Sequence, residues 1–220
     1  MATIMLGHLF DMVEDQVVDE DNALWDIKDI LNWYNIGTRT ITSINPRANP
    51  AIESVKLASG VKQRTPPGSI ALIDVLRNMG TDGVTAGRTV TLTTIDALRA
   101  SAASFSTVTA ATTVYNFARD PDDIALFWIY PPSPGTNYVE LEFSKVPTVT
   151  VYDDDGDYRN AYIAITDQFV DALINYILHR VYGKDTDVPG NDPRSVKYYS
   201  LFRQSPGIAE ILGAQAQGGR

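Results

Sequence analysis

The chain has 220 residues, 44% of them hydrophobic, no cysteine, and a formal net charge of −9 at pH 7. That length buries a real core, as one domain or one domain with an insertion, and the missing cysteine excludes disulfides and thiolate metal sites. The acid excess argues against a groove that grips phosphate, since nucleic-acid affinity comes mostly from lysine and arginine, but not against DNA passing nearby.

No apolar run approaches the ~20 residues needed to span a bilayer, and no basic region precedes a long apolar run at the N-terminus. The expectation is a soluble, unprocessed protein with no membrane partner. In chain order, Ile4, Leu6, Leu9, Phe10 and Val13, interrupted by Gly7, predict a short helix within residues 1–16. The acidic residues at 19–22 stand as an N-cap cluster ahead of a second helix, which carries Trp25, Ile27, Ile30, Leu31, Tyr34 and Ile41 and ends before Pro46. Trp25 and Trp33 read as core rather than as a binding face.

From Ala51 the periodicity changes. Residues 52–58, a turn at Ser59 and Gly60, and residues 61–65 predict a hairpin closed off by Pro66 and Pro67. Residues 70–77, 88–95, 112–117, 124–130 and 138–144 are short, β-branched or aromatic stretches separated by Gly, Pro, Asp and Asn, which predicts strands. In the last of them Val139, Leu141 and Phe143 alternate with Tyr138, Glu140 and Glu142, the pattern of an antiparallel sheet with one wet face. A short helix is expected within 96–105.

The helix at 166–184 organises the rest. Thr166 has an N-cap side chain, Asp167 and Asp171 put negative charge at its start, and Arg180 and Lys184 put positive charge at its end. Phe169, Val170, Leu173, Ile174, Tyr176, Ile177, Leu178 and Val181 cover well over half its circumference, leaving Asp171, Asn175 and His179 as a polar stripe. Such a helix is buried on two sides, by a second layer, a neighbouring subunit or both. Phe169, Leu173, Tyr176 and Arg180 are therefore the candidate subunit-packing residues. A last helix runs through Tyr198, Leu201 and Phe202, capped by Asn191 or Asp192. Residues 205–220, rich in glycine around Ile208, Ile211 and Leu212, read as an extended arm.

The search for chemistry is mostly negative. If Gly156 were the turn glycine of a calcium loop, its first and last ligand positions would be Val151 and Tyr162, so the run Asp153, Asp154, Asp155, Gly156, Asp157 reads as a solvated hairpin turn. Gly80, Gly83 and Gly87 do not make a dinucleotide fingerprint, and no phosphate loop is present. His8 and His179 do not make a zinc motif. His179, on the polar stripe, reads as solvated rather than catalytic. Arg180, at an angle among Phe169, Leu173 and Tyr176, must snorkel or meet a carboxylate, and a structural ion pair is expected. No metal, cofactor or catalytic residue is expected.

The run Leu31, Asn32, Trp33, Tyr34, Asn35, Ile36, Gly37, Thr38, Arg39 resembles the L-x-W-x-N-x-G-x-R/Q segment of the head-to-tail adaptor (connector, head-completion) family of tailed-bacteriophage virion proteins. Residues 74–80, with Arg77, Asn78 and Gly80, then Tyr130, Pro131 and Pro132, and then 176–185 resemble the same family in the same order. Asn32, Gly37, Arg39, Arg77, Asn78 and Gly80 are taken as its motif residues. The family's usual L-D-A-Q and Pro-x-Trp after Leu98 are replaced by Arg99, Ala100, Ser101 and Phe105.

The resemblance implies an α+β subunit with N-terminal helices at 1–48, an antiparallel β-rich insertion at 49–160, C-terminal helices at 161–204 completing a bundle, and an arm at 205–220. It implies a structural protein made in the bacterial cytoplasm and located in the virion at the head-tail junction. There it forms a ring with itself, commonly twelve copies, beneath the portal protein and above the next tail protein or tail fibres. Double-stranded DNA passes through the lumen without sequence-specific binding. By the same resemblance Ile208, Ile211 and Leu212 are candidate portal anchors. A stopper, tube-top or fibre-docking protein is the alternative, and a virion-associated hydrolase a remoter one.

Overall fold

A computed structural model describes residues 2–17, 25–101, 108–184 and 190–218. In chain order the elements are helices α1 (Leu6–Val17) and α2 (Ile27–Ile44), strands β1 (Pro50–Lys56), β2 (Ser59–Arg64), β3 (Ser69–Asn78) and β4 (Thr91–Thr93), and helix α3 (Ile95–Ser101). Strands β5 (Asn116–Arg119), β6 (Leu126–Pro134) and β7 (Tyr138–Lys145) follow, then helices α4 (Val170–Lys184), α5 (Asn191–Gln204) and α6 (Ala209–Gly218). This is the expected α+β class. The chain forms two compact units, one from Met1–Asn49 with Pro147–Arg220 and one from Pro50–Val146.

The helical unit is built around α4. Val170, Leu173, Ile174, Ile177, Leu178 and Val181 are all buried, in one cluster with Leu6, Leu9, Phe10 and Val13 of α1 and Ile30, Tyr34 and Ile41 of α2. Apolar residues at helical spacing on three elements converge, and their removal from water holds the unit together. Trp25 and Trp33 are buried in that cluster as expected. The acidic residues at 19–22 lie outside the described residues; the cap of α2 is Asp26, whose carboxylate accepts from the Lys28 amide at 2.8 Å. Thr166 does not cap with its side chain. A 3-10 turn at Asp167–Phe169 precedes α4, and the buried Thr166 hydroxyl has no hydrogen-bond partner among the described residues.

The second layer over α4 is α5, packed antiparallel through a ladder of rings. Tyr182 stacks on Tyr198 at 5.6 Å, His179 tilts against Tyr199 at 4.9 Å, and Tyr176 meets Phe202 edge-on at 5.4 Å. Where an extended arm was expected, the chain turns at Gly207 and forms α6. Gly207 takes φ +75°, and a Cβ there would stand 2.8 Å from the Phe169 ring, so glycine alone fits this approach. Asn45 fixes the turn by donating to the Gly207 carbonyl at 3.0 Å.

The β unit corrects two expectations. The predicted hairpin of β1 with β2 does not exist: β1 pairs with β7, and β2 pairs with β6, all antiparallel. Gly60 lies at a register shift inside β2 rather than in a turn. The chain crosses between sheets at Leu57 and Ala58, and the buried Gln63 carboxamide satisfies the backbone left without a ladder, accepting from the Ala58 amide at 2.8 Å and donating to its carbonyl at 2.9 Å. The single antiparallel sheet is instead two sheets, β1-β7-β3 and β2-β6-β5-β4, and β4 runs parallel to β5. Both contribute to one core, with Leu72, Val75, Val139, Leu141 and Phe143 on one side and Phe117, Phe127 and Ile129 on the other. The alternation expected for β7 is present, with Val139, Leu141 and Phe143 buried and Tyr138, Glu140 and Glu142 half-buried.

Candidate functional site

His179 sits in a notch of about 490 Å³ where α2, α4 and α5 meet, lined also by Asp29, Trp33, Arg180, Gly183, Lys184, Asp192 and Ser195. It is not a solvated histidine. Its Nδ1 lies 2.9 Å from Ser195 Oγ, and that hydroxyl donates to the His179 carbonyl at 3.0 Å. The serine proton is thus committed to backbone, which leaves the imidazole Nδ1–H to donate to Oγ. A serine nucleophile needs the reverse arrangement, with its proton handed to the ring and a carboxylate steadying the other nitrogen. Here Ser195 is buried and Asp171 exposed. The pair is a clamp between helices. Gly183 makes it possible, because a Cβ there would stand 3.1 Å from Ser195 Oγ.

The proposed subunit-packing residues are mostly consumed inside the chain. Phe169, Leu173 and Tyr176 belong to the helical core, with α2 on one flank and α5 on the other, so they present no face to a neighbour. Arg180 alone is exposed, and among the described residues it makes no ion pair. The ion pair expected for it is therefore not found there; Lys184, one turn on, pairs with Asp29. Of the proposed portal anchors, Ile208 is fully buried in the same core and Leu212 is half-buried against it. Ile211 is half-buried.

The motif residues separate into those that shape the fold and those that face solvent. Gly37 is a seat: a Cβ there would lie 2.8 Å from Leu173 Cδ1 and 2.9 Å from Tyr176 Cδ1, so α2 and α4 approach only over glycine. Asn32 is exposed, and the asparagine of the motif falls by its spacing on Asn35 instead. Asn35 is a two-way clamp, donating to the Thr150 carbonyl at 2.8 Å and accepting from the Thr150 amide at 2.9 Å. Arg39 is exposed on the same helix.

In the β unit Asn78 is buried and fully used. It donates to the carbonyls of Arg88 (2.9 Å) and Val114 (2.8 Å) and accepts from the Val114 amide at 2.8 Å. Gly80, at φ +64°, turns the chain so that its carbonyl accepts from the Tyr138 amide at 2.9 Å. Arg77 pairs with Glu140 across β3 and β7 at 2.6 Å.

The acidic run is a cap, not a hairpin turn. Asp153 accepts from the amides of Asp157 (2.8 Å) and Tyr158 (3.1 Å), starting the 3-10 turn Asp157–Asn160. Elsewhere in the chain three carboxylates, Asp82, Asp120 and Asp167, are held below their usual range by hydrogen bonds to the charged form. Thr85 and Val84 bring Asp82 down to about 2, first through the Thr85 hydroxyl. The Trp128 indole lowers Asp120, and the Thr3 hydroxyl lowers Asp167, tying the N-terminal segment to the start of α4. Burial pushes the Tyr34 phenol up. Among the described residues no group of three or more His, Asp or Glu side chains is arranged to hold a metal ion.

Sequence reasoning missed a second hollow, of about 510 Å³, between α5 and α6, where Val196, Tyr199, Arg203 and Leu212 face one another. The signal was present: exposed apolar residues interspersed with cations on a helix whose buried residues are few. No helix among the described residues is long and apolar enough to cross a membrane. The family described as SU10 adaptor protein matches residues 6–220. No curated protein matches the sequence.

Proposed function

The chain belongs to the SU10 adaptor protein family, and from that premise we propose that it is the head-to-tail connector of a phage virion. Twelve copies form a ring beneath the portal, join capsid to tail, and line the channel through which DNA leaves. The observation that carries this reading is how the motif residues are used. Gly37 and Asn35 shape the helical unit, and Asn78, Gly80 and Arg77 shape the β unit; they are structural fixtures in two places rather than a constellation around one pocket. A sequence pattern spent on shape suits a component whose work is to fit between neighbours. The chain's net charge of −9 suits a channel wall to which DNA does not adhere.

The burial of Ile208 revises the portal contact. Ile208 and Leu212 tether α6 to its own unit, and the contact to the portal is made by α6 from Ile211 onward. The next tail protein, or a fibre, meets the β unit, where Val84, Leu92 and Ile124 are exposed. Truncation after Leu212 tests the portal contact: attachment to the portal ring is expected to be lost while thermal unfolding stays unchanged. Attachment that survives the truncation would remove α6 from the interface.

A further inference from the structure

We propose that the groove between α5 and α6 receives the acidic α1 face of a second copy of this chain, so that copies join head to tail. This rests on the ring reading above and gives it a surface. Val196 is 63% exposed and Tyr199 45% exposed, large apolar groups on a helix that buries the neighbouring Phe202. With Leu212 from α6 they make an apolar floor, and Arg203 stands at its rim.

Charge selects the occupant. The helical unit carries 18 acidic against 10 basic residues, net −8, yet α5 within it has Arg194, Lys197 and Arg203 against Asp192, net +2. The opposite extreme is α1, with Asp11, Glu14 and Asp15 and no lysine or arginine, net −3. Its exposed side shows Asp15 and, one turn before it, Asp11, which is already paired with Arg159, and the sequence stays acidic beyond it through Asp19, Glu20 and Asp21. Every copy therefore bears both halves of a complementary pair, on two helices that each pack on α4. A two-fold contact with its axis through either patch would set cationic α5 against cationic α5, or acidic α1 against acidic α1, and like charges in register oppose it. The pairing proposed sets α5 of one copy on α1 of the next, and repeated in one direction it is heterologous, the kind of contact that closes into rings. A nucleic-acid strand is the poorer occupant: three cations beside an apolar floor, in a unit of net −8, make a weak phosphate track.

The test uses the full-length chain in mass photometry over a concentration series, alone and with its portal ring, comparing wild type with Arg203→Glu, Asp15→Lys and the two combined. Both positions are exposed. Each single reversal is expected to weaken association between copies about tenfold, and the combination to recover most of that loss, since it restores an attractive pair across the contact. Raised ionic strength should weaken the wild type in the same sense. Reversals that leave assembly unchanged, or a combined variant no better than the worse single one, overturn the proposal while the ring stands. Normal assembly with lost portal attachment hands the groove to the portal, which also overturns it. A wild-type chain that is monomeric both alone and on the portal overturns the ring reading and this proposal together.

Discussion

The helical unit is assembled from the two ends of the chain, whereas the β unit is one uninterrupted stretch between them. The first closes by shape, through glycines that admit a neighbouring side chain: Gly37 under Leu173 and Tyr176, Gly183 under Ser195, Gly207 under Phe169. The second closes through amide side chains that replace missing ladder bonds, Asn78 beside Val114 and Gln63 beside Ala58. The units differ in charge as well, since the helical one is net −8 and the β unit, with 9 acidic and 8 basic residues, is net −1. Acid is concentrated where the ends of the chain meet. Steric seats and polar clamps fail differently, and that difference is measurable.

The largest effect is expected at Asn78. Asn78→Leu keeps the volume but removes three hydrogen bonds and leaves the Val114 amide and carbonyl without partners, at a cost of about 3–4 kcal/mol. Urea unfolding of the variant should show it, and a cost under about 1 kcal/mol would mean that water replaces the side chain. Gly37→Val should follow, at about 3 kcal/mol, because a Cβ would stand 2.8 Å from Leu173 Cδ1, a fully buried side chain, and 2.9 Å from the Tyr176 ring. If Gly37→Val instead matches wild type, the helices are not seated on glycine. Ile208→Ala, in the same core, should cost about 3 kcal/mol by leaving a cavity; an unchanged Tm would return Ile208 to the list of portal anchors.

Smaller effects separate the clamp at His179 from a catalytic reading. Ser195→Ala removes one hydrogen-bond partner of the ring and should cost about 1 kcal/mol, with the His179 ring signals shifting in NMR. The smallest concerns Asp82. Its pKa in the folded chain is depressed to about 2, so the order it gives the loop is complete above the ordinary carboxylate range and is lost as pH falls through about 2. Carbon-detected titration should place its midpoint there; a midpoint at the ordinary value of about 4 would contradict the hydrogen bonds to Thr85 and Val84.

The helical unit was largely legible in the sequence, because α2 and α4 carry their apolar residues at local spacings that no tertiary contact needs to explain. The alternation in β7 was legible for the same reason. What could not be read was pairing at a distance. Ser59 and Gly60 carry the chemistry of a hairpin turn, yet Gly60 serves a bulge, because β1 and β2 find their partners far along the chain, β1 in β7 (Pro50 with Ser144) and β2 in β6 (Ser59 with Pro134). The tail read as extended because Pro206 and Gly207 break a helix; the structure uses them for the turn into α6, held by Asn45 from the far end of the chain. The angle of Arg180 put it among buried rings and called for an ion pair, yet the side chain is exposed and among the described residues unpaired, while Lys184 pairs with Asp29, an outcome that spacing does not reveal. The partner of His179 was equally hidden, since nothing in the intervening residues points to Ser195.

The most direct measurement is the mass of the purified chain, alone and mixed with its portal ring, by native mass spectrometry. A stoichiometric ring of copies on the portal, about twelve, is the result the assignment predicts. A chain that stays monomeric and leaves the portal bare would contradict it.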